Sequence, residues 1–334
     1  MSVAVRGARL RPVRAGAVAV ALLALASVVS AVPASAGSAS SAPAPSGPAP
    51  VPGRHTPPAP PPPPAHGVTV TVTPRSGSVV GVASPIYARF SRAVRFRAAA
   101  ESHMAVYING RRSRGAWSWR DSRTAVFRQE NLWPGHARIE VRLDLHGVEL
   151  DRTSSARYVG SRSTTRPYTM RTPRSLVATI NGVTDRMVVR VDGKVVKVFG
   201  VSLGKPGYET RSGIKAVMEK YVSRHMTSVT AGITDPHDQY DVIAPYATRI
   251  TPTGEFVHGA PWATARIGRW NGSHGCTNLT TADAKWFFDN TVTGDAVVTT
   301  GTGRPMEFWN GPGAPFNMPW TQWLAHSALK GRAA

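Results

Sequence analysis

A single cysteine, Cys276, is the only thiol in this chain of 334 residues. One thiol cannot close an internal disulfide, so no disulfide framework holds the fold together. Acidic side chains are also scarce, 19 against 40 lysines and arginines, which gives a formal net charge of +21. That balance suits anionic surroundings such as cell-wall polymers. Nucleic acid is not expected as a partner, because the chain carries no recognisable nucleic-acid motif and begins like an exported protein. Beyond the first residues no apolar run is long enough to span a bilayer. His103, His136, His146, His225, His237 and His326 show no paired metal-ligand spacing, so no metal and no cofactor is expected. A zinc site built from His258, His274 and Cys276 is the lesser alternative.

The first 36 residues read as a secretory signal peptide. Arg6, Arg9, Arg11 and Arg14 form its positive leader, Gly16 to Val32 its apolar run, and Ala34-Ser35-Ala36 its cleavage site. Loss of the four leader arginines lowers the charge from +21 to about +17. A retained membrane anchor is the alternative, and with no cysteine near the cleavage site a lipid-modified terminus is excluded. Residues 37–66 are almost all Pro, Ala, Ser and Gly, too poor in apolar bulk to pack, and are expected to form an extended linker. The protein is therefore expected outside the cytoplasm, associated with the cell wall, and monomeric.

About 270 residues remain for folded structure, room for two modest domains. Residues 67–165 alternate in short apolar stretches, Val68–Val72, Ile86–Phe90, Ala105–Ile108, Thr124–Phe127 and Arg138–Leu143. Asn109-Gly110, Pro134-Gly135 and His146-Gly147 separate some of them, and the pattern predicts an antiparallel β-sandwich. Trp117, Trp119 and Trp133 fit core packing better than a ligand platform. Residues 170–300 are again mainly β, with strands expected at Leu176–Asn181, Met187–Asp192 and Val195–Ser202 and a hairpin turn at Asp192-Gly193. One short helix is expected over Thr280–Asn290, with Thr281 as its cap. Residues 301–334 form a tail rich in Trp309, Phe316, Trp320 and Trp323, expected to fold back onto the catalytic domain.

The chemistry concentrates around Cys276. A lone thiol kept in an exported chain, beside glycine and histidine in Ser273-His274-Gly275-Cys276-Thr277-Asn278, reads as a nucleophile. A free thiol is only a few per cent thiolate at neutral pH, so it needs a base. His258, in Phe256-Val257-His258-Gly259-Ala260-Pro261-Trp262, and His274 compete for that role, and spacing alone does not choose between them. Attack on a carbonyl creates an oxyanion, for which the amides of Gly275 and Cys276 are the expected donors. Asn278 is placed to pin the loop or bind substrate. The blander account makes Cys276 a small buried hydrophobe and the histidines structural.

These two segments resemble the signature of the L,D-transpeptidases, whose catalytic fold is the YkuD type. Tyr246 to Ile250, Gly259 to Trp262, Ala284 to Phe287, Met318 to Trp323 and the preceding immunoglobulin-like domain resemble the mycobacterial, actinobacterial branch. The resemblance covers about residues 68 to 330. It implies an acyltransferase in which Cys276 attacks a peptidoglycan stem peptide after its third residue. D-Ala leaves, a thioester forms, and the side-chain amine of another stem resolves it to a 3→3 cross-link. It implies His258 as base, Tyr240 as an oxyanion donor, and His274, Trp262, Asn278 and Ser273 as walls of the substrate pocket. Carbapenem acylation of Cys276 is a further implication. Two departures stand out: Gly259 occupies a position where relatives often carry serine, and Thr210-Arg211-Ser212-Gly213 lacks a Thr-Pro found in many members. An L,D-carboxypeptidase using water as acceptor, and a non-catalytic wall-binding protein, are the competing functions.

Overall fold

The computed structural model describes residues 61–165 and 167–330; the expected signal peptide, and the linker except for residues 61–66, lie outside them. Strict alternation builds the first layer pair. Val70–Thr73 and Ala137–Leu143 bury every second side chain, which is what a strand with one face on a core requires. One four-stranded sheet runs Val70–Thr73, Ile86–Phe90, Thr124–Arg128, Ala116–Trp119. A second runs Tyr168–Thr172, Ala137–Leu143, Met104–Ile108, Arg111–Arg112, and a three-stranded sheet joins Ala65–Val68, Arg157–Gly160 and Glu149–Arg152. This is the immunoglobulin-like sandwich. Its pairing begins at Ala65 and ends at Thr172, so both edges lie outside the expected span of 67–165.

The three tryptophans belong to its core. Trp117, Trp119 and Trp133 are 4%, 4% and 2% exposed, and each indole N–H finds a buried acceptor. Trp119 Nε1 donates to Glu101 Oε1 at 2.6 Å from a short helix, Arg97–Ser102, that sequence pattern did not reveal. Its six residues, three of them consecutive alanines, are too few to display a helical period.

The second part of the chain holds two sheets. A five-stranded one runs Lys194–Gly200, Arg186–Val191, Leu176–Asn181, Ala296–Thr300, Gly213–Ala216. The hairpin at Asp192-Gly193 forms as expected, both residues taking positive φ, 49° and 80°. A four-stranded sheet runs Lys220–Thr227, Asp241–Arg249, Phe256–Gly259, Thr277–Leu279. Helix Thr281–Asn290 packs Ala284 and Phe287 into the core. Its cap is Thr280, not Thr281: Thr280 Oγ1 accepts from the Asp283 amide at 3.1 Å. Leu176–Asn181 and Ala296–Thr300 pair in parallel, so residues 182–295 connect two neighbouring strands.

The tail divides, which corrects the expectation that it packs on the catalytic domain. Its first half does so: Asn317 Oδ1 accepts from the Ile214 amide, and Glu307 binds Arg211. Its second half crosses to the sandwich. Met318 and Trp323 bury against Ala116 and Val126, and the Trp323 indole donates to Ala116 O at 3.0 Å. Arg128 lies within 5.5 Å of the ring centroids of Phe316, Trp320 and Trp323 and donates to Met318 O. Glu101 accepts from Ser327 Oγ and from the amides of Ala328 and Leu329. Burial holds the Arg128 guanidinium down to about 10, the cost of seating a cation among rings. Aromatic composition foretold that the tail packs, but not the buried arginine and glutamate that set its destination. Trp323→Ala should lower stability by about 3–5 kcal/mol by leaving a cavity in this clasp. Urea denaturation of the two proteins measures it, and equal midpoints would contradict the clasp.

Candidate active site

Parallel pairing of two short strands organises the site. Val257 faces Thr277, His258 faces Asn278 and Gly259 faces Leu279. Cys276 precedes the second strand, two residues before the partner of His258. At about 4.8 Å between strands and about 3.3 Å per residue, the two Cα atoms fall on the order of 8 Å apart. His258 and Cys276 both line a cleft of about 880 Å³, together with Tyr240, Trp262, His274 and Asn278.

His258 is 3% exposed, and its Nδ1 sits 2.8 Å from the Gly259 carbonyl oxygen. A carbonyl only accepts, so Nδ1 carries the hydrogen and Nε2 keeps its lone pair. Glycine at 259 therefore suffices to orient the ring. A side chain there would also be crowded, since a Cβ would meet Pro245 Cγ at 2.9 Å and Pro245 O at 3.2 Å. Burial pushes the His258 imidazole below its ordinary value, against a smaller upward pull from the Gly259 carbonyl. The ring of Trp262 stacks on it, centroids 6.0 Å apart.

The Cys276 thiol shows part of its surface to the cleft while protein surrounds the rest. That burial pushes it up to about 12; the Phe256 N–H and Lys215 pull it down, and Glu255 pushes it up. Its Sγ lies 3.7 Å from the Gly254 carbonyl oxygen. Burial thus favours the neutral form of both the thiol and the imidazole.

The turn before the thiol is fixed by Ser273, whose Oγ donates to Cys276 O at 2.6 Å and accepts the Gly275 amide at 3.1 Å. The Gly275 N–H, expected as an oxyanion donor, is therefore engaged within the turn. Gly275 has φ +116°, a conformation that favours glycine.

His274 stands on the opposite wall. Tyr240 stacks on it and Tyr208 meets it edge-on, both with centroids 4.9 Å away. Its Nε2 is 3.5 Å from Asp238 Oδ1, too poorly aligned for a hydrogen bond. Burial, and next Lys205, keep His274 below its ordinary value. Asp238 also pairs with Lys205, tying the 228–240 loop over the cleft. The two candidate bases thus occupy different settings, and His258 alone has a carbonyl fixing its tautomer.

Sequence pattern missed Lys205, Tyr208 and Asp238 on this wall, and Lys215, Glu255 and Arg211 beneath the thiol. A signal existed for two of them. Glu255 and Lys215 are lone charges in the otherwise apolar stretches Glu255–Val257 and Ile214–Val217, and buried charges need partners.

Comparison with known proteins agrees with this geometry. Residues 176–299 match the model of the L,D-transpeptidase catalytic domain, and residues 62–149 match a bacterial Ig domain. L,D-transpeptidase 1 of Mycobacterium tuberculosis is 32% identical over 232 residues, covering 69% of this chain and 84% of that protein. L,D-transpeptidase 2 of the same organism is 33% identical over 259 residues, 77% of this chain, and the chain spans 62% of that relative's length. Among solved structures, LD transpeptidase LdtMt1 in complex with imipenem superposes with a TM-score of 0.58 at 30% identity, covering 70% of this chain and 99% of that one. An L,D-transpeptidase from Mycobacterium smegmatis gives 0.57 at 29% identity, with 71% and 100% covered. With these matches beside the paired strands and their cleft, the chain belongs to the L,D-transpeptidase family, a class of acyltransferases.

Proposed function

We propose that this chain forms 3→3 cross-links in peptidoglycan through a thioester on Cys276. The observation that carries the reading is His258 held by the Gly259 carbonyl on a strand paired with the one that directly follows Cys276, both residues opening on one cleft. Cys276 Sγ gives its proton to His258 Nε2 and attacks the carbonyl carbon after the third stem residue. The Cys276 amide and the Tyr240 hydroxyl hold the oxyanion. When the tetrahedral state collapses, the C–N bond to D-Ala breaks and His258 returns its proton to the departing amine. The side-chain amine of an acceptor stem then attacks the thioester, gives a proton to His258, and the C–S bond breaks as sulfur is reprotonated. No cofactor or metal takes part. Trp262, His274 and Asn278 shape the donor pocket, with Ser273 and Gly275 holding the nucleophile's turn. By this account the mature protein works in the cell wall after export, where its basic surface favours anionic polymers. Carbapenems are expected to acylate Cys276.

Mature enzyme mixed with disaccharide tetrapeptide should yield cross-linked dimer and free D-Ala by mass spectrometry, and Cys276→Ala should yield neither. Tripeptide monomer without dimer would instead show a carboxypeptidase, and no product at all would defeat both. Acidity supplies a second check. A base held below 6.5 stays neutral through the neutral range and is lost only as pH falls beneath that value. Acylation by a carbapenem should therefore hold level down to 6.5 and decline below it, and an inflection above 6.5 would contradict the assignment of His258.

A further inference from the structure

Beneath the nucleophile lies a set of buried charges that the proposed chemistry does not use directly. Lys215, on the strand Gly213–Ala216, is 0% exposed, with Nζ 2.8 Å from Glu255 Oε2 and 3.3 Å from Thr299 Oγ1. Glu255 is 3% exposed, and its Oε1 accepts from both the Arg211 amide and Arg211 Nη1 at 3.0 Å. Arg211 reaches on to Glu307 at 2.7 Å. A buried ion pair seldom adds net stability over apolar side chains of similar size, so stability does not account for this one.

Its placement does. Glu255 sits between the two backbone groups that touch the sulfur: the Gly254 carbonyl at 3.7 Å and the Phe256 N–H. A Cβ added to Gly275 would lie 3.9 Å from Glu255 Cγ, so the carboxylate arm also backs the residue before Cys276. Fixing Glu255 from both sides fixes the sulfur's donor and acceptor together.

We propose that Lys215, Glu255 and Arg211 are positioning residues that hold the Cys276 sulfur in place and balance the negative charge that forms on it. This rests on Cys276 being the nucleophile. Lys215 offers a buried cation to the nascent thiolate, and Glu255 tempers that cation so that the thiol is neutral at rest. The other groups facing the sulfur are His258 from its paired strand and Tyr240 from the loop across the cleft. Lys205, Asp238 and His274 form the far wall, where Lys205 and Asp238 pair with each other.

The test needs no peptidoglycan, because Cys276 is the only thiol. Carbamidomethylation of full-length protein by iodoacetamide, followed by intact mass at about pH 8, reads the thiolate fraction, with circular dichroism confirming folding. Lys215→Met should slow alkylation about tenfold and Glu255→Gln should speed it about tenfold, each equal to about one pH unit in thiol ionisation. Arg211→Gln, at a partly exposed cation, should slow it too and decides the matter if Lys215→Met does not fold. Opposite signs are the signature, since loosened packing moves every variant the same way. Changes of one sign only, or rates within about twofold of wild type, overturn the proposal. Failure to cross-link peptidoglycan would leave these rates unaffected, so the two readings fail separately.

Discussion

The site depends on the register between two short parallel strands, Phe256–Gly259 and Thr277–Leu279. Three rungs are few for a parallel pair, and the chain reinforces them from a third side. Ser202 exchanges both backbone hydrogen bonds with Asn278, and Leu203 O accepts the amides of Gly272 and Ser273. The Ala260 amide bonds to Leu279 O, and the Gly268 amide to Val201 O. The loop from Ala260 to Cys276 is thus stitched to residues 201–203, and the thiol and the imidazole open on one cleft. Slipping the register by one residue would turn every side chain to the other face and separate the pair.

Given that register, polarity is managed by backbone rather than by additional side chains. A carbonyl orients the His258 ring, a serine hydroxyl ties the turn before Cys276, and a main-chain N–H and carbonyl cradle the sulfur. Burial favours the uncharged form of both side chains. The nearby formal charges are paired: Lys215 and Arg211 with Glu255 on one side, Lys205 with Asp238 on the other.

Much of this was legible in the sequence. Strict alternation announced the sandwich strands, and Asp192-Gly193 announced its hairpin, because both signals are local. The motif singled out Cys276, His258, Trp262, His274 and Asn278, which line one cleft, and Gly259 through its departure from that motif. What stayed hidden depends on long-range contacts. The helix Arg97–Ser102 is too short to show a period. The tail's destination was set by Arg128 and Glu101, whose burial no local pattern reveals. The engagement of the Gly275 amide by Ser273 is a matter of turn geometry, invisible in residue identity.

The central claim is that burial keeps His258 neutral while the Gly259 carbonyl holds its hydrogen on Nδ1, so that Nε2 is ready to take the thiol proton. Nitrogen-15 NMR of the histidine rings at neutral pH reads this directly. The account predicts a protonated Nδ1 and a bare Nε2 for His258; a hydrogen on Nε2, or a resting imidazolium, would contradict it.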